Sequence, residues 1–320
     1  MTSSRKVRWG ILGPGGISAR LLGDAGNAAN VAVVAVGSRD RTRAASFAAR
    51  FGIPRVHGSY EELLGDPEVD AVYIGTPNSI HHPLTMQALA AGKHVLCEKP
   101  YSRHSEQVIE AFDAAASRNL ILMEAFMWRH TPQVRRFMEL LPEVGDLQSI
   151  RATFSFVMTK TNDVRLDRAL EGGALMDVGC YCVSGSRLVA GAEPSRVSGE
   201  QVVGPTGVDL SFSGLLRFPS GPVAEIVAGF TSHHRSLEAI GTAGTLLLRN
   251  PWLSEDGRIR LGDRDIVVAT ADAYRLELEN MSAAILGEGK PLLGREDALG
   301  QARTIEALYR SAAEGRYVPL

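Results

Sequence analysis

The stretch VRWGILGPGGIS, residues 7 to 18, decides the fold of the first half of this 320-residue chain. Its first six residues are mainly apolar and predict a short buried strand. Gly13 then allows a tight turn, and Gly15 leaves room for a phosphate group against the following Gly16 and Ile17. The third small position is Ser18, where glycine or alanine is usual. A strand, a glycine turn and a helix in this order are typical of a dinucleotide-binding loop.

Further apolar runs follow in a regular rhythm up to about residue 125. Helical patterns such as TRAASFAARFG and SEQVIEAFDAAASRN lie between them. Strands that alternate with helices predict a parallel sheet covered on both faces. The four runs are VAVVAVGS from Val31, DAVYIGT from Asp70, HVLCEK from His94 and LILMEAF from Leu120.

From about Leu147 the pattern changes to longer strands of alternating polarity, separated by turns such as GPTG and PSGP. This pattern predicts an antiparallel sheet. Two helical patterns, 272–286 and 295–314, end the chain. We therefore expect an α/β protein with a doubly wound Rossmann domain over 1–125. An α+β domain with a large open, mostly antiparallel sheet is expected over 126–320, and helix 295–314 is a candidate to pack back on the first domain.

The strand-like runs of the second half are LQSIRATFSFVM, SRVSGEQVVG, DLSFSGLLRF, PVAEIVAGFTS, SLEAIGTAGTLLLRN and RDIVVAT.

The overall composition argues against several partner classes. Lysine and arginine number 34, aspartate and glutamate 36, and the net charge of -2 offers no field that would collect nucleic acid or an anionic membrane. Neither a signal peptide nor a run of about 18 apolar residues is visible. Three cysteines, Cys97, Cys180 and Cys182, indicate reduced thiols, and we expect a cytoplasmic protein. The adjacent pairs His81–His82 and His233–His234 lack further ligands at suitable spacing, so we expect no metal.

The end of the second strand indicates which cofactor is preferred. Ser38, Arg39 and, one helical turn on, Arg43 stand where an enzyme specific for NAD usually has an acid. Hydroxyl and guanidinium donors suit a 2'-phosphate, so we expect NADP(H) to be preferred, with NAD(H) possible. The alternative is that Arg39 is a solvated charge and that Asp40 binds the ribose.

Lys99 ends the buried run VLCEK, and Pro100 fixes the turn that follows. Ligands of a doubly wound sheet bind outside the carboxyl ends of its strands, so Lys99 is expected beside the nicotinamide. The alternative is a structural salt bridge between Lys99 and Glu98. Further cofactor contacts are expected along the same edge, from Thr76, Pro77 and Glu98, and Asn78 and His81 are expected to contact the nicotinamide or the substrate.

Two longer blocks carry a family resemblance: GTPNSIHHPLTMQALAAGKHVLCEKP, residues 75 to 100, and GGALMDVGCY, residues 172 to 181. With these motifs the chain resembles the glucose-fructose oxidoreductase/inositol dehydrogenase (Gfo/Idh/MocA) family over essentially its whole length. The resemblance implies a Rossmann domain followed by an open α/β domain, whose sheet often forms the oligomer face. A homodimer or homotetramer through that sheet is therefore expected.

The same resemblance implies that Lys99, Asp177 and Tyr181 act on the substrate. Asp177 and Tyr181 are four residues apart, so on a helix they share one face. A free tyrosine titrates near pH 10, and a neighbouring ammonium such as that of Lys99 would bring it nearer to neutrality. The expected reaction is hydride transfer from a carbinol carbon to nicotinamide. Tyr181 would accept the hydroxyl proton, Lys99 would polarise the oxygen, and Asp177 would orient Lys99 or a sugar hydroxyl.

The segments MEAFMWRHTPQ, residues 123 to 133, and NDVRLDRALEGGALMDVGCY, residues 162 to 181, are most similar to NADP-dependent D-xylose 1-dehydrogenases and trans-dihydrodiol dehydrogenases. Phe126 and Trp128 are candidates for an apolar wall against a sugar ring, although such aromatic residues often serve only for packing. Hydroxyl contacts are expected from Arg129, Asn162 and Arg165.

The leading hypothesis is an NADP-dependent aldose 1-dehydrogenase. One alternative is an NADPH-dependent reductase of a free or nucleotide-linked keto-sugar. Two others are a cofactor-sensing regulator without catalysis, and an enzyme that uses tightly held NAD for glycoside cleavage.

Overall fold

The protein is described here by a computed structural model that covers residues 5–23, 25–253 and 256–320. The chain forms two compact units. Unit 1 comprises the described residues of Met1–Ser102 with Glu106–Met127 and Asp272–Ala298, and unit 2 comprises Arg103–Ser105, Trp128–Ala271 and Leu299–Leu320.

A six-stranded parallel sheet forms the centre of unit 1, in the order β3-β2-β1-β4-β5-β6. This is the Rossmann strand order, with its switch point between β1 and β4. The parallel sheet and the helical patterns between its strands confirm the predicted fold class. β3 was not predicted, because three residues give too short a pattern. The strands are β1 Val7–Leu12, β2 Val31–Gly37, β3 Arg55–His57, β4 Ala71–Ile74, β5 His94–Glu98 and β6 Leu122–Ala125.

Unit 2 contains a nine-stranded sheet in the order β14-β13-β12-β11-β7-β10-β9-β8-β15. The sheet is mostly antiparallel, as predicted, with a parallel pair between β7 and β10. SLEAIGTAGTLLLRN, which the pattern presents as one run, is a hairpin that turns at Thr242 and Ala243. The strands are β7 Leu147–Ser155, β8 Arg196–Val203, β9 Asp209–Arg217, β10 Val223–Gly229, β11 His234–Gly241, β12 Gly244–Arg249, β13 Arg258–Leu261, β14 Arg264–Val267 and β15 Val318–Pro319.

The helices are α1 Gly16–Leu21, α2 Arg41–Phe51, α3 Tyr60–Leu64, α4 Asn78–Ala90, α5 Ser105–Ser117, α6 Pro132–Leu140, α7 Cys180–Ala190, α8 Ala273–Ile285 and α9 Arg295–Glu314.

α8 belongs to unit 1, although the sequence prediction placed all of 126–320 in the second domain. The indole Nε1 of Trp9 in β1 donates to Ser282 Oγ over 3.0 Å, and Asn30 Nδ2 donates to the Glu279 carbonyl oxygen over 3.0 Å. Such contacts join segments about 250 residues apart, which no local pattern can predict. The exact domain limits, 1–125 and 126–320, stay a prediction.

Within the described ranges, no helix has both the length and the apolar character that crossing a membrane requires.

Candidate functional site

The glycine turn after β1 can be built only with small residues. Gly13 has φ +91°, and a β-carbon there would lie 3.1 Å from Thr76 Cγ2 and 3.2 Å from the Gly75 carbonyl oxygen. Ser18 is fully buried and donates to the Gly13 carbonyl oxygen over 2.6 Å. A β-carbon on Gly75 would meet that same hydroxyl at 2.6 Å. Ser18 therefore fits the third small position and fixes the turn as well.

Four predicted residues follow neighbouring strands of the parallel sheet. Ser38 follows β2, Gly13 follows β1, Thr76 lies just beyond β4, and Lys99 follows β5. Since adjacent strands are about 4.8 Å apart, this row along the carboxyl edge spans roughly 14 Å. The switch point between β1 and β4, where such sheets bind ligands, lies inside the row.

The row fits an extended dinucleotide cofactor in two further respects. The hydroxyl of Thr76 is buried and has no hydrogen-bond partner among the described residues, although buried polar groups normally have one. A side chain on Gly13 would press on the same threonine. At Gly15 and Gly16, where a phosphate is expected, an added β-carbon would meet no atom closer than 4.0 Å, so this part of the turn is open.

The end of β2 leaves its arginines available to an anion. Asp40 caps α2, because its Oδ1 accepts from the amides of the first helical turn at 2.9 and 3.1 Å. Ser38 Oγ accepts from the Asp40 amide over 3.2 Å and keeps its proton to donate. Arg39 and Arg43 are exposed, and Arg43 Nε donates to the Pro14 carbonyl oxygen over 3.2 Å. Direct contact of Ser38, Arg39 and Arg43 with a 2'-phosphate stays a prediction.

The carboxylate of Glu98 anchors the turn that carries Lys99. It is 6% exposed, and it accepts from the Tyr73 hydroxyl over 2.6 Å and from the Lys99 amide over 3.2 Å. Burial raises the pKa of Tyr73, and the charge of Glu98 raises it further, so the phenol keeps its proton. The Lys99–Pro100 peptide bond is cis. The predicted contact of Glu98 with the cofactor stays a prediction.

His81 joins two loops at the same edge. Its ring is buried, with Nε2 2.9 Å from the Thr76 carbonyl oxygen and Nδ1 3.0 Å from the Pro100 carbonyl oxygen. Burial lowers the pKa of His81, and a neutral imidazole can donate to only one of the two carbonyls. His81 thus ties the loop after β4 to the turn after Lys99. Contacts of Pro77, Asn78 and His81 with the cofactor stay predictions.

In unit 2 the motif GGALMDVGCY forms a π-helical segment, Leu175–Gly179, that continues as α7. The sequence predicted an ordinary helix here. π-Helical turns inside helices occur frequently at functional sites, and their slightly wider turn still keeps residues four apart close to one face. That Asp177 and Tyr181 address one pocket stays a prediction.

Arg165 forms an ion pair with Asp177. Its Nε donates to Asp177 Oδ2 over 2.6 Å, and its Nη1 donates to Asp163 Oδ1 over 3.1 Å. The negative charge of Asp177 raises the pKa of Arg165, so the guanidinium stays charged. The expected partners of Asp177 were Lys99 or a sugar hydroxyl, and the pair with Arg165 is an addition to that prediction.

The ring of Tyr181 packs among aromatic side chains of unit 2. It lies edge-on to Phe154 at 5.2 Å between centroids and tilted to Trp252 at 5.9 Å. Trp128 meets Trp252 edge-on at 4.9 Å. Trp128, and Phe126 in unit 1, are fully buried, and their role as a wall against a sugar ring stays a prediction. Sequence reasoning missed Phe154 and Trp252, because neither stands in a recognisable motif.

The other two predicted substrate residues differ in their surroundings. Arg129 Nη1 donates to Ser184 Oγ over 3.3 Å, and its guanidinium lies 5.8 Å from the Trp128 ring centroid. Asn162 is exposed in a turn of unit 2. The predicted contacts of Arg129 and Asn162 with substrate hydroxyls stay predictions.

In the parts of the chain that the structure describes, no three His, Cys, Asp or Glu side chains are grouped so as to hold a metal ion.

The strand order of unit 1 and its glycine turn define a dinucleotide-binding protein of the Rossmann class, extended by a mixed-sheet unit. Residues 7–126 match the oxidoreductase family GFO_IDH_MocA, with an NAD-binding Rossmann fold, and residues 142–247 match the GFO/IDH/MocA C-terminal domain. The chain belongs to this oxidoreductase family, which confirms the resemblance found in its motifs.

Individual relatives extend over nearly the whole chain. D-xylose 1-dehydrogenase (NADP(+)) 2 of Haloferax volcanii is 36% identical, over 98% of this chain and 100% of its own. An aldose-aldose oxidoreductase from Caulobacter crescentus, solved with glycerol, superposes with a TM-score of 0.91 at 29% identity, over 99% and 100% of the two chains. A 3-ketoreductase from Actinomadura kijaniata, solved with NADP and TDP-benzene, gives 0.90 at 29% identity, over 96% and 98%.

Proposed function

We propose that this protein is an NADP-dependent oxidoreductase that transfers hydride between a sugar and nicotinamide, acting as an aldose 1-dehydrogenase on a D-xylose-like sugar. The observation that carries the proposal is the row of Ser38, Gly13, Thr76 and Lys99 along one strand edge. It combines an expected place for a phosphate, a buried Thr76 hydroxyl that has no hydrogen-bond partner among the described residues, and a lysine. The D-xylose dehydrogenase relative supports the choice of an aldose.

The cofactor we propose is NADP(H), with NAD(H) as the weaker ligand. Bound NADP+ supplies the hydride acceptor. Ser38, Arg39 and Arg43 would hold the 2'-phosphate, since Asp40 is engaged in capping α2. The amides around Gly13, Gly15, Gly16 and Ile17 would receive the pyrophosphate.

We propose Tyr181 as the group that takes the proton of the sugar hydroxyl and Lys99 as the cation that polarises its oxygen. Asp177, held by Arg165, would accept a hydrogen bond from a second hydroxyl. An enclosed tyrosine needs a nearby cation to act as a base near neutral pH, which is the role given to Lys99. Arg165 and Asn162 are proposed to bond further hydroxyls.

A keto-sugar reductase is the second candidate, because the same groups run the reaction in reverse. The 3-ketoreductase of Actinomadura kijaniata, solved with TDP-benzene, supports it. In this direction Tyr181 would give its proton to the developing alkoxide, and NADPH would be consumed.

The test is the initial rate of NADP+ and NAD+ reduction with a panel of free aldoses. We expect turnover with a pentose or hexose, preference for NADP+, and loss of kcat by at least about 100-fold in Tyr181→Phe and Lys99→Ala, the usual contribution of acid-base catalysis. Tyr317→Phe, at a half-exposed position, should leave kcat unchanged. NADP+ binding without turnover of any aldose would contradict the dehydrogenase. If keto-sugars then oxidise NADPH, the reductase is favoured. If they do not, a regulatory protein without catalysis is favoured.

We further propose a cytoplasmic homodimer or homotetramer formed through the nine-stranded sheet. The three cysteines are buried and form no disulfide among the described residues, as expected in a reducing compartment. Val227 and Leu215, on the neighbouring strands β10 and β9, are 43% and 37% exposed and would be covered in an oligomer. Light scattering of the purified protein tests this, with Val227→Lys expected to lower the mass to that of the monomer.

A further inference from the structure

Asp209, the first residue of β9, is a buried carboxylate aimed at the start of the motif helix. It is 3% exposed, and its Oδ2 accepts from the Leu175 amide over 2.7 Å. Leu175 begins the π-helical segment that carries Asp177. Amides in the first turn of a helix have no partner within the helix, so Asp209 supplies one from another element. The bond spans 34 residues of sequence.

Gly173 of the motif leaves the space that the Asp209 carboxylate needs. Gly173 has φ +127°, and a β-carbon there would lie 2.1 Å from Asp209 Oδ1. The Asp177 amide donates to the Gly173 carbonyl oxygen over 2.9 Å. The carboxylate therefore occupies the space that the missing side chain leaves, directly before the segment that bears Asp177 and Tyr181.

Tyr309 in α9 holds the other oxygen of the same carboxylate. Its hydroxyl donates to Asp209 Oδ1 over 2.9 Å, and the guanidinium of Arg103 lies 4.3 Å from its ring centroid. Burial raises the pKa of Asp209 to about 6, although the Leu175 amide and the Tyr309 hydroxyl lower it, so the carboxylate is ionised at neutral pH. Three separate elements thus meet at Asp209 within unit 2.

We propose that Asp209 and Tyr309 are positioning residues for the reaction: they fix the segment Gly172–Tyr181 so that Asp177 and Tyr181 are held in the orientation that catalysis needs. Neither touches the reacting atoms in this assignment. A misplaced catalytic group costs rate far more than it costs substrate binding. The expected effect on catalysis rests on the proposed function. Whether Asp209 and Tyr309 fix the segment can be tested independently, by a measurement that needs no enzymatic activity.

The first test is steady-state kinetics of the full-length enzyme. Asp209→Ala should lower kcat by about 10-fold or more with KM changed less than about threefold, and Tyr309→Phe should have a smaller effect in the same direction. Asp209→Asn keeps an oxygen for the Leu175 amide and should recover most of kcat. The control is Ser311→Ala, because Ser311 is a fully buried hydroxyl of α9 that binds the Gly199 amide, away from the motif. It should cost stability and leave kcat unchanged.

The second test is hydrogen exchange followed by mass spectrometry on the same four variants. Faster exchange confined to residues 172–181 in Asp209→Ala, and absent from Ser311→Ala, is the expected result. Unchanged exchange in that segment, or a kcat for folded Asp209→Ala equal to that of the wild type, would overturn the proposal. If the wild type turns over no sugar, the proposed function fails, and the exchange comparison still decides whether Asp209 fixes the segment.

Discussion

Arg165 binds both Asp177 and the turn before it: its Nε donates to the Asp177 carboxylate across 2.6 Å, and its carbonyl oxygen accepts from the amide of Gly173, four residues earlier, across 2.9 Å. A β-carbon on Gly172 would lie 2.3 Å from that same carbonyl oxygen. One arginine therefore fixes both the turn that leads into the motif and the carboxylate inside it.

Replacement of Arg165 should reduce catalysis more than its partial exposure suggests. Arg165→Ala removes the charge-assisted hydrogen bond to Asp177, and hydrogen bonds to charged groups contribute about 1.5–3 kcal/mol, so kcat/KM should fall by about 10- to 100-fold. Arg165→Lys keeps the charge without the planar fork and should recover little. The exposed neighbour Arg168 is the control, and Arg168→Ala should stay within about twofold. Equal kinetics of the Arg165 and Arg168 variants would contradict this role.

Cofactor preference should depend on Arg39. Arg39→Ala should raise the Kd of NADP+ by about 10-fold or more, because a charge-assisted contact to the 2'-phosphate is lost, while the Kd of NAD+ changes less than about twofold. Titration of both cofactors by protein fluorescence measures this. Arg41→Ala is the matched control, since Arg41 is an exposed arginine two residues further on, at the start of α2, and pairs with Glu62 at 3.7 Å. An equal rise in the Kd of NADP+ and of NAD+ would show that Arg39 does not bind the 2'-phosphate.

The row of candidate cofactor positions in unit 1 could be predicted because it follows from local patterns. Each apolar run ends in a residue that a parallel sheet brings to one edge, so Gly13, Ser38 and Lys99 could be placed from the rhythm alone. The buried contacts of Glu98 and His81 could not, since the partner that an acid or an imidazole meets depends on packing. Tyr73 lies 25 residues from Glu98, with no shared periodicity.

In unit 2 the sequence indicated the candidate residues of the motif, but not the residues elsewhere in the chain that hydrogen-bond to it. The four-residue spacing of Asp177 and Tyr181 is a local property of the sequence, and the shared face that it predicts stays a prediction, because a π-helical segment runs up to Gly179. Asp209 and Tyr309 were missed because they come from a strand and a helix far along the chain. The sequence does contain one indication of these contacts, the glycine pair Gly172–Gly173. Such a pair before a helix indicates that another group lies close to the backbone, but it does not identify that group.

Gly173→Ala should be far more costly than an ordinary glycine substitution. The new β-carbon would displace the Asp209 carboxylate in a backbone conformation that alanine rarely adopts, so we expect a loss of about 3 kcal/mol or more in the free energy of unfolding. Gly191→Ala is the control, because Gly191 has φ +61° with nothing within 4 Å of the added carbon, and about 1 kcal/mol is expected. Urea unfolding measures both, and equal losses would contradict the close contact.

Asp66 should contribute stability that is lost in acid. Burial raises its pKa, but hydrogen bonds from Arg55, the Glu68 amide and His57 outweigh this and lower it to about 2. The folded state therefore holds the carboxylate charged where the unfolded chain takes up a proton, so this stability is present above about pH 4 and disappears toward pH 2. Asp66→Asn should cost about 2 kcal/mol at pH 7, with a gap to wild type that closes between pH 4 and 2. The exposed Glu68→Gln should show no such closing gap.

Glu277 is a buried acid in the core of unit 1. It is fully buried in α8, and neither carboxyl oxygen has a hydrogen-bond partner among the described residues. Burial raises its pKa well above the usual range, and the charge of Glu98 adds to this. The folded protein therefore retains a proton that the unfolded chain releases above about pH 4.5.

Glu277→Gln should therefore stabilise the protein increasingly as the pH rises. Since the folded wild type binds more protons than its unfolded chain, its free energy of unfolding falls with rising pH, by up to about 1.4 kcal/mol for each unit. Glutamine has the same shape and no proton to lose, so wild type and variant should match near pH 4 and separate above pH 5, with the variant the more stable. Urea unfolding at pH 4, 6 and 8 checks this. Glu279→Gln, two residues further on and paired with Arg275 at 2.8 Å, should show no such gain. A constant difference between wild type and Glu277→Gln across this range would mean that Glu277 does not carry the extra proton.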